Sequence, residues 1–123
     1  MAKILAIDDD PYFLLSLDNF LSFQKHQVTT IQNPFLVQET LRQKRFDCLL
    51  LDMQMPGLNG FELMQTVREI HPHLPIIIIS GMNVAHYRQT LADFQPIAFV
   101  EKPFNPMHLL HLIKELTSEK TST

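Results

Sequence analysis

The sequence predicts an α/β fold in which helices cover both faces of a parallel β-sheet. Five short runs of β-branched and aliphatic residues recur along the 123 residues, and segments with helical periodicity separate them. Three of these runs are apolar almost throughout, as expected for strands that are covered on both faces. Because parallel strands need right-handed crossover connections, the alternation places helices on both sides of one sheet.

The five runs predict five β-strands. They are Lys3–Ile7, Gln27–Ile31, Cys48–Leu51, Ile76–Ile79 and Ile97–Val100. The first, third and fourth are the apolar ones. Cys48 is the only cysteine in the chain, so it cannot form an internal disulfide bond, and we expect it to be a small buried hydrophobic residue.

Apolar residues spaced three and four apart predict helices between the strands. The stripes are Phe13, Leu17, Phe20 and Leu21 in the first interval, Leu63, Val67 and Ile70 in the third, and Leu109, Leu112, Ile113 and Leu116 after the last strand. An Asp or Asn followed by proline marks three helix starts, at Asp10-Pro11, Asn33-Pro34 and Asn105-Pro106. The interval from Val84 to Phe94 has a thinner apolar stripe and gives the weakest helical pattern.

Composition predicts one globular domain with no nucleic-acid or membrane role of its own. The net charge is −3 and Lys and Arg are not clustered, whereas binding to a phosphate backbone depends on such clusters. No apolar stretch approaches the ~20 residues needed to cross a bilayer, and the first residues lead directly into a strand, so a cytoplasmic location is expected. We expect the domain to span residues 1–118 and residues 119–123 to be a polar tail or the start of a linker.

Residues that carry chemistry follow the predicted strands. These are Asp8, Asp9 and Asp10 after the first strand, Asp52 after the third, Ser80 after the fourth and Lys102 just past the fifth. Functional groups of an open parallel sheet collect at the carboxyl ends of its strands, so we expect all of them at one edge. Asp10 directly precedes Pro11 and is better explained as a helix cap than as a ligand.

Clustered carboxylates repel one another unless a proton or a cation is bound. Oxygen ligands with open water positions favour Mg²⁺, whereas zinc would require nitrogen or sulfur ligands. We therefore predict a Mg²⁺ site held by Asp9 and, directly or through water, by Asp8. Phosphoryl transfer also needs a nucleophile, a hydrogen-bond donor and a fixed positive charge, and Asp52, Ser80 and Lys102 can supply these three functions.

Three motifs resemble the signatures of response-regulator receiver domains. They are the acidic segment Ile4–Pro11, the Asp-x-x-Met-Pro-x-x-x-Gly pattern within Leu50–Gly60, and the Lys-Pro-Phe ending of Phe99–Phe104. Together with Ser80-Gly81 they occur in order over nearly the whole chain. The resemblance implies a flavodoxin-like (βα)5 domain with strand order 2-1-3-4-5. It also implies a sensor histidine kinase or phosphotransfer protein that donates the phosphoryl group from a phosphohistidine.

The resemblance further implies roles for individual residues. The metal ligands would be Asp8, Asp9, Asp52 and the backbone carbonyl of Gln54. Ser80 and Phe99 would form a switch that remodels the face of helix 4, strand 5 and helix 5, and the peptide bond between Lys102 and Pro103 would be cis. The output partner would be a separate protein or a C-terminal effector domain, and a phosphorylation-dependent homodimer is compatible with this family.

The chain departs from the family pattern at two positions. Gln95-Pro96 stands where a Gly-Ala pair is common, so we expect an atypical turn before the last strand. Gln54 lies beside the path of the attacking water, so the resemblance does not fix the lifetime of the phosphoryl group.

Two alternatives remain open beside a receiver that catalyses only its own phosphotransfer and dephosphorylation. One is a protein-interaction module of the same fold that works without phosphate. The other is an aspartate-nucleophile phosphatase of the haloacid-dehalogenase type. That enzyme needs a second acid two residues after the nucleophile, where this chain has Gln54.

Overall fold

A computed structural model describes residues 1–55, 57, 59–81 and 88–118. The elements in chain order are β1 (Lys3–Ile7), α1 (Pro11–Phe23), β2 (Gln27–Ile31), a 3₁₀ turn (Pro34–Leu36), α2 (Val37–Gln43), β3 (Cys48–Leu51), α3 (Gly60–Ile70), β4 (Ile76–Ser80), α4 (Arg88–Ala92), β5 (Ile97–Glu101) and α5 (Pro106–Ser118). Pro56 of the Met-Pro motif, the predicted helix start at Val84 and the predicted tail lie outside the described residues.

All five strands form one parallel sheet with the order β2-β1-β3-β4-β5. The predicted α/β architecture and strand order are therefore confirmed. β4 and β5 each extend one residue beyond the predicted end, because Ser80 pairs with Glu101 in the ladder. The Lys102 N–H then donates to the Ser80 carbonyl at 2.9 Å, so the sheet positions both polar residues.

Alternate residues of the central strands bury their side chains on opposite faces of the sheet. Leu5, Leu49, Leu51, Ile76 and Ile78 pack on the face covered by α2, α3 and α4. Ile4, Leu50, Cys48, Ile77 and Ile79 pack on the face covered by α1 and α5. Because both faces are covered, these strands carry no polar alternation, which is why they are continuous apolar runs in the sequence.

The helix starts marked by Asp or Asn followed by proline are capped as expected. The Asp10 carboxylate accepts from the N–H groups of Tyr12 and Phe13, and the Asn105 side chain accepts from the Met107 N–H. Asn33 caps in the same way through the Phe35 N–H, but it begins the 3₁₀ turn, and α2 follows only from Val37. Within the described residues, no helix combines the length and apolarity that a membrane span requires.

The Gln95–Pro96 peptide bond, in the turn between α4 and β5, is cis. Beside this turn, the half-buried Arg68 of α3 donates to backbone carbonyls from three segments. Its Nε and Nη2 lie 2.9 and 2.6 Å from the Phe94 carbonyl oxygen, and Nη2 also donates to Pro96 at 2.9 Å. Nη1 donates to the carbonyls of Leu74 at 2.6 Å and His71 at 3.3 Å. One side chain thus joins the end of α3 to the starts of β4 and β5.

The end of α1 requires one residue in the left-handed region. Lys25 has φ of 69°, its N–H donates to the Ser22 carbonyl, and the next N–H, of His26, donates to the Leu21 carbonyl. These two bonds form a Schellman motif, whose left-handed position is usually occupied by glycine. A side chain with a β-carbon is strained in this conformation by roughly 1–2 kcal/mol.

We expect Lys25→Gly to raise the free energy of unfolding by about 1 kcal/mol, because glycine relieves this strain while part of the gain is lost to its greater freedom in the unfolded chain. Urea denaturation followed by circular dichroism measures the effect. Lys25→Ala is the matched control, since it also removes the charge but keeps the β-carbon. An equal gain in Lys25→Ala would show that the charge, and not the backbone conformation, limits stability.

Candidate functional site

The carboxyl edge of the sheet brings together the polar residues that follow the strands. Within the described part of the chain, the buried polar side chains are those of Asp8, Asp52 and Ser80, which are 2%, 6% and 0% exposed. They stand at the ends of β1, β3 and β4. Burying polar groups is costly unless they are paired, so three such side chains at one edge of an otherwise apolar interior indicate a functional site.

Lys102 supplies the positive charge of this site. Its Nζ lies 2.9 Å from Oδ2 of Asp8 and 3.5 Å from Oδ2 of Asp52. The same ammonium group lies 4.3 Å from the ring centroid of Phe13, and that ring makes an edge contact with Phe104. Lys102 therefore bridges the two buried carboxylates while an aromatic ring from α1 supports it from the side.

Local turns hold the second oxygen of each buried carboxylate. Oδ1 of Asp52 accepts from the Gln54 N–H at 2.9 Å, and Oδ1 of Asp8 accepts from the Asp10 N–H at 3.0 Å. Each carboxylate is thus oriented by its own loop through one oxygen, and its other oxygen faces Lys102. Gln54 itself is exposed, and its Oε1 lies close to Gly81, which follows β4.

The acidic residues can supply ligands to a cation. Asp8, Asp9 and Asp52 each offer a carboxylate oxygen, and these oxygens lie within 4.8 Å of one another. Two of the three residues are buried, whereas Asp9 is exposed, so the cluster opens to solvent on one side. A set of carboxylates with room for water ligands fits a hard divalent cation such as Mg²⁺. Asp10 caps α1 and does not belong to this set, as the sequence indicated.

Burial and charge act in opposite directions on the two titratable groups at the centre of the site. Burial raises the pKa of Asp52 and the charge of Asp8 adds to the rise, although the Gln54 N–H and Lys102 oppose it. For Lys102, burial alone would lower the pKa, but the hydrogen bond to Asp8 and the charges of Asp52 and Asp8 outweigh burial and raise it. Lys102 therefore stays cationic, while burial makes the anionic form of Asp52 less favourable than in water even beside the Lys102 ammonium group.

Ser80 and Phe99 share one face of the sheet. Phe99 pairs with Ile78 and Ser80 pairs with Glu101, so Ser80 and Phe99 are diagonal neighbours on adjacent strands. Ser80 is fully buried, whereas Phe99 is partly buried and packs against the core under α2, α3 and α4. The Lys102–Pro103 peptide bond, which follows directly, is cis.

The contact between Phe13 and Lys102 could not be read from the sequence. The pattern assigned Phe13 to the apolar stripe of α1, and it does pack beside the core on that face. Its ring also reaches the ammonium group because α1 starts at the same edge as the site. The one local signal is its place three residues after the capping Asp10, which puts it in the first turn of α1.

Comparison with known proteins agrees with the receiver-domain resemblance of the sequence motifs. The family model described as response regulator receiver domain matches residues 4–114. The chain is 31% identical over 120 residues to the DNA-binding transcriptional regulator NtrC of Escherichia coli, a match that covers 94% of this chain and 24% of that protein. It is 27% identical to the response regulator protein FleR of Pseudomonas aeruginosa, again over 24% of that protein. The chain thus spans about a quarter of the length of these relatives.

Two solved structures match this chain over nearly their whole length. A CheY-like receiver domain protein from Methanospirillum hungatei superposes with a TM-score of 0.90 at 26% identity, covering 98% of this chain and 97% of that one. The chemotaxis protein CheY4 of Vibrio cholerae superposes with a TM-score of 0.86 at 26% identity, covering 94% and 98%. With the family match, the sheet order and the residues at its carboxyl edge, the chain belongs to the receiver domains of two-component response regulators.

Proposed function

We propose that Asp52 accepts a phosphoryl group from a phosphohistidine of a sensor histidine kinase or phosphotransfer protein, in a reaction that requires Mg²⁺. The observation that carries this proposal is the buried Asp52 carboxylate beside Lys102, Asp8 and Asp9. A merely structural ion pair would not need two further carboxylates at the same place, since like charges raise the cost of burial.

The chemistry follows from the contacts of Asp52. One of its oxygens attacks phosphorus, the bond from phosphorus to the donor imidazole breaks, and the imidazole leaves with the bonding electrons. The Gln54 N–H fixes the orientation of the carboxylate during this step. Lys102 then moves its hydrogen bonds from the carboxylates to the phosphoryl oxygens.

The cation would be held by Asp8, Asp9, Asp52 and the backbone carbonyl of Gln54. When bound, Mg²⁺ supplies positive charge next to the phosphoryl oxygens. The protein supplies the other contacts to the phosphoryl group. Lys102 provides a second positive charge, and Ser80 provides a hydroxyl donor on the neighbouring strand. We expect the domain to catalyse only its own phosphotransfer and dephosphorylation.

The same geometry supports a switch between Ser80 and Phe99. The Ser80 hydroxyl would turn toward the phosphoryl group, and Phe99, its diagonal neighbour, would rotate into the space that the hydroxyl leaves. This movement would change the face formed by α4, β5 and α5. Because the relatives are about four times longer than this chain, we propose that this face acts on an effector domain or on a separate output protein. Homodimerisation is one route by which it could do so. We further propose that the domain works in the cytoplasm and does not itself contact nucleic acid.

Incubation with Mg²⁺ and acetyl phosphate tests the acceptor residue. Intact mass should rise by roughly 80 Da in the wild type and in Asp10→Asn, which retains a helix cap, but not in Asp52→Asn or after removal of Mg²⁺. An adduct in Asp52→Asn would place the acceptor elsewhere. No adduct in the wild type would favour the phosphate-independent interaction module, and steady turnover of a free phosphomonoester would favour a phosphatase.

Metal dependence of stability tests the acidic cluster separately. Without metal, Asp52→Asn should be at least as stable as the wild type at neutral pH, because it removes a disfavoured buried anion. Since the pKa of Asp52 is raised in the folded state, this advantage should vanish as the pH falls and the wild-type carboxyl becomes protonated.

Thermal melts with and without Mg²⁺ at pH 7 and pH 4 measure both effects. Mg²⁺ at 100 times its Kd should stabilise the wild type by about 2.7 kcal/mol and Asp52→Asn by less. A clear loss of metal-free stability in Asp52→Asn would contradict the expectation that burial of the Asp52 anion destabilises the metal-free protein.

A further inference from the structure

A basic groove lies at the edge of the sheet opposite the acidic site. It has a volume of about 350 Å³ and is lined by Lys3, Gln27, Thr29, Lys44, Arg45 and Phe46. Lys3 and Gln27 pair with each other at the amino-terminal ends of β1 and β2, whereas Asp8 follows the carboxyl-terminal end of β1. The groove is therefore separated from the phosphoacceptor site by the length of the strands.

The groove exists because α2 is too short to cover the edge strand. α2 has seven residues and a length of about 10 Å, whereas the five residues of β2 extend over roughly 16 Å. The helix packs near the carboxyl-terminal end of β2, where Ile31 and Val37 share one core cluster. The amino-terminal half of β2 is left open, and the segment that leads from Lys44 to Phe46 forms the opposite wall.

The charge of the groove is entirely positive. Lys3, Lys44 and Arg45 are exposed, and the remaining lining residues are neutral, in a chain whose net charge is −3. No ion pair within the described residues involves any of the three. The neighbouring Asp47 carboxylate accepts from the Lys3 backbone N–H at 2.8 Å, so that oxygen is engaged with the main chain.

The open side of β2 also offers backbone hydrogen bonds. β2 is an edge strand, and its Gln27 N–H points toward β1, where it donates to the Ala2 carbonyl. Because N–H and C=O groups alternate in direction along a strand, those of Val28 and Thr30 point away from the sheet. An extended segment can therefore pair with β2 while its side chains reach the basic rim.

We propose that this basic groove docks an extended acidic segment of a partner protein along β2. Carboxylates at alternate positions of that segment would meet Lys3, Lys44 and Arg45, and its backbone would pair with Val28 and Thr30. A membrane surface fits the groove less well, because Phe46 is only 7% exposed and cannot insert into lipid. A nucleic acid would need more phosphate contacts than three cations in an acidic chain provide.

A labelled hexapeptide of alternating glutamate and threonine, capped at both ends, tests the proposal by fluorescence anisotropy at low ionic strength. The wild type should bind it, and the double variant Lys44→Glu/Arg45→Glu should bind at least tenfold more weakly. Lys114→Glu, an exposed position on α5, is the control and should bind as the wild type. Amide NMR shifts induced by the peptide should centre on Gln27, Val28, Thr29 and Phe46.

The same measurement contains the results that would overturn the proposal. Absence of binding at millimolar peptide would overturn the proposal. Equal binding by the Lys44→Glu/Arg45→Glu variant and by the wild type would also overturn it. Equal binding of a peptide with glutamine in place of glutamate would show that charge is not recognised. Tighter binding to vesicles with 30% phosphatidylserine, or to a single-stranded oligonucleotide, would assign the groove to a different partner. Circular dichroism checks that the double variant is folded, as expected for two changes at exposed residues.

Discussion

Replacing Arg68 by alanine should lower the free energy of unfolding by about 3–5 kcal/mol, because the guanidinium group donates to four backbone carbonyls. The carbonyls of His71 and Pro96 also accept from the N–H groups of Leu74 and Ile76, so the loss falls mainly on the carbonyls of Phe94 and Leu74. Burial lowers the pKa of Arg68, but a guanidinium group stays protonated in proteins, so its charge strengthens each of these bonds. Against a typical domain stability of 5–15 kcal/mol, the expected loss is a large fraction.

Chemical denaturation measures this loss, and two further variants define its cause. Arg42→Ala, at an exposed position on α2, should change stability by less than about 0.5 kcal/mol. Arg68→Lys should recover only part of the loss, since a single ammonium group cannot reproduce the planar fork that reaches Phe94 on one side and Leu74 on the other. A loss in Arg68→Ala no larger than in Arg42→Ala would show that water replaces the guanidinium group at these carbonyls.

Arg68 also lies next to the face that is proposed to change on phosphorylation. Its partners Phe94 and Pro96 form the turn between α4 and β5, which borders the face proposed to change on phosphorylation. The cis bond before Pro96 lies in the same turn. Arg68 therefore fixes one end of that face to α3.

Lys102→Ala should separate phosphorylation from its consequence. The variant should still gain roughly 80 Da with acetyl phosphate, because Asp52 and the acidic cluster remain. The amide shifts that phosphorylation or beryllofluoride induces at Ser80, Phe99 and α5 should be lost, because the variant has no ammonium group after β5 to reach the phosphoryl group. Lys114→Ala on α5 is the control and should respond as the wild type. An unchanged pattern of shifts in Lys102→Ala would contradict this role.

The same variant should also become more sensitive to pH. Without Lys102, Asp8 and Asp52 lose their cation, so the already raised pKa of Asp52 should rise further. The folded state then binds protons that the unfolded state releases, and stability should increase as the pH falls from 7 toward 4. Thermal melts across this range should show a steeper dependence than in the wild type, and added Mg²⁺ should flatten it. A dependence no steeper than that of the wild type would mean that Lys102 does not offset these charges.

The sequence by itself determined the secondary-structure elements and the edge of the sheet at which the site residues lie. Apolar runs gave all five strands to within one residue, and Asp10 and Asn105 marked the starts of α1 and α5, because these signals depend on neighbouring residues. Asn33 marked the 3₁₀ turn that precedes α2 and not the start of α2 itself. The site residues could be grouped because parallel strands all end at the same edge of the sheet. Asp8, Asp52, Ser80 and Lys102 needed only their positions after the strands.

Only the tertiary structure decided which groups touch. Lys102 lies 94 residues from Asp8, and its closer approach to Asp8 than to Asp52 depends on the sheet register. The same holds for the ring of Phe13 beside the ammonium group, for the carbonyls around Arg68 and for the groove left open by the short α2. None of these contacts follows from local periodicity, because each depends on how elements distant in sequence pack against one another.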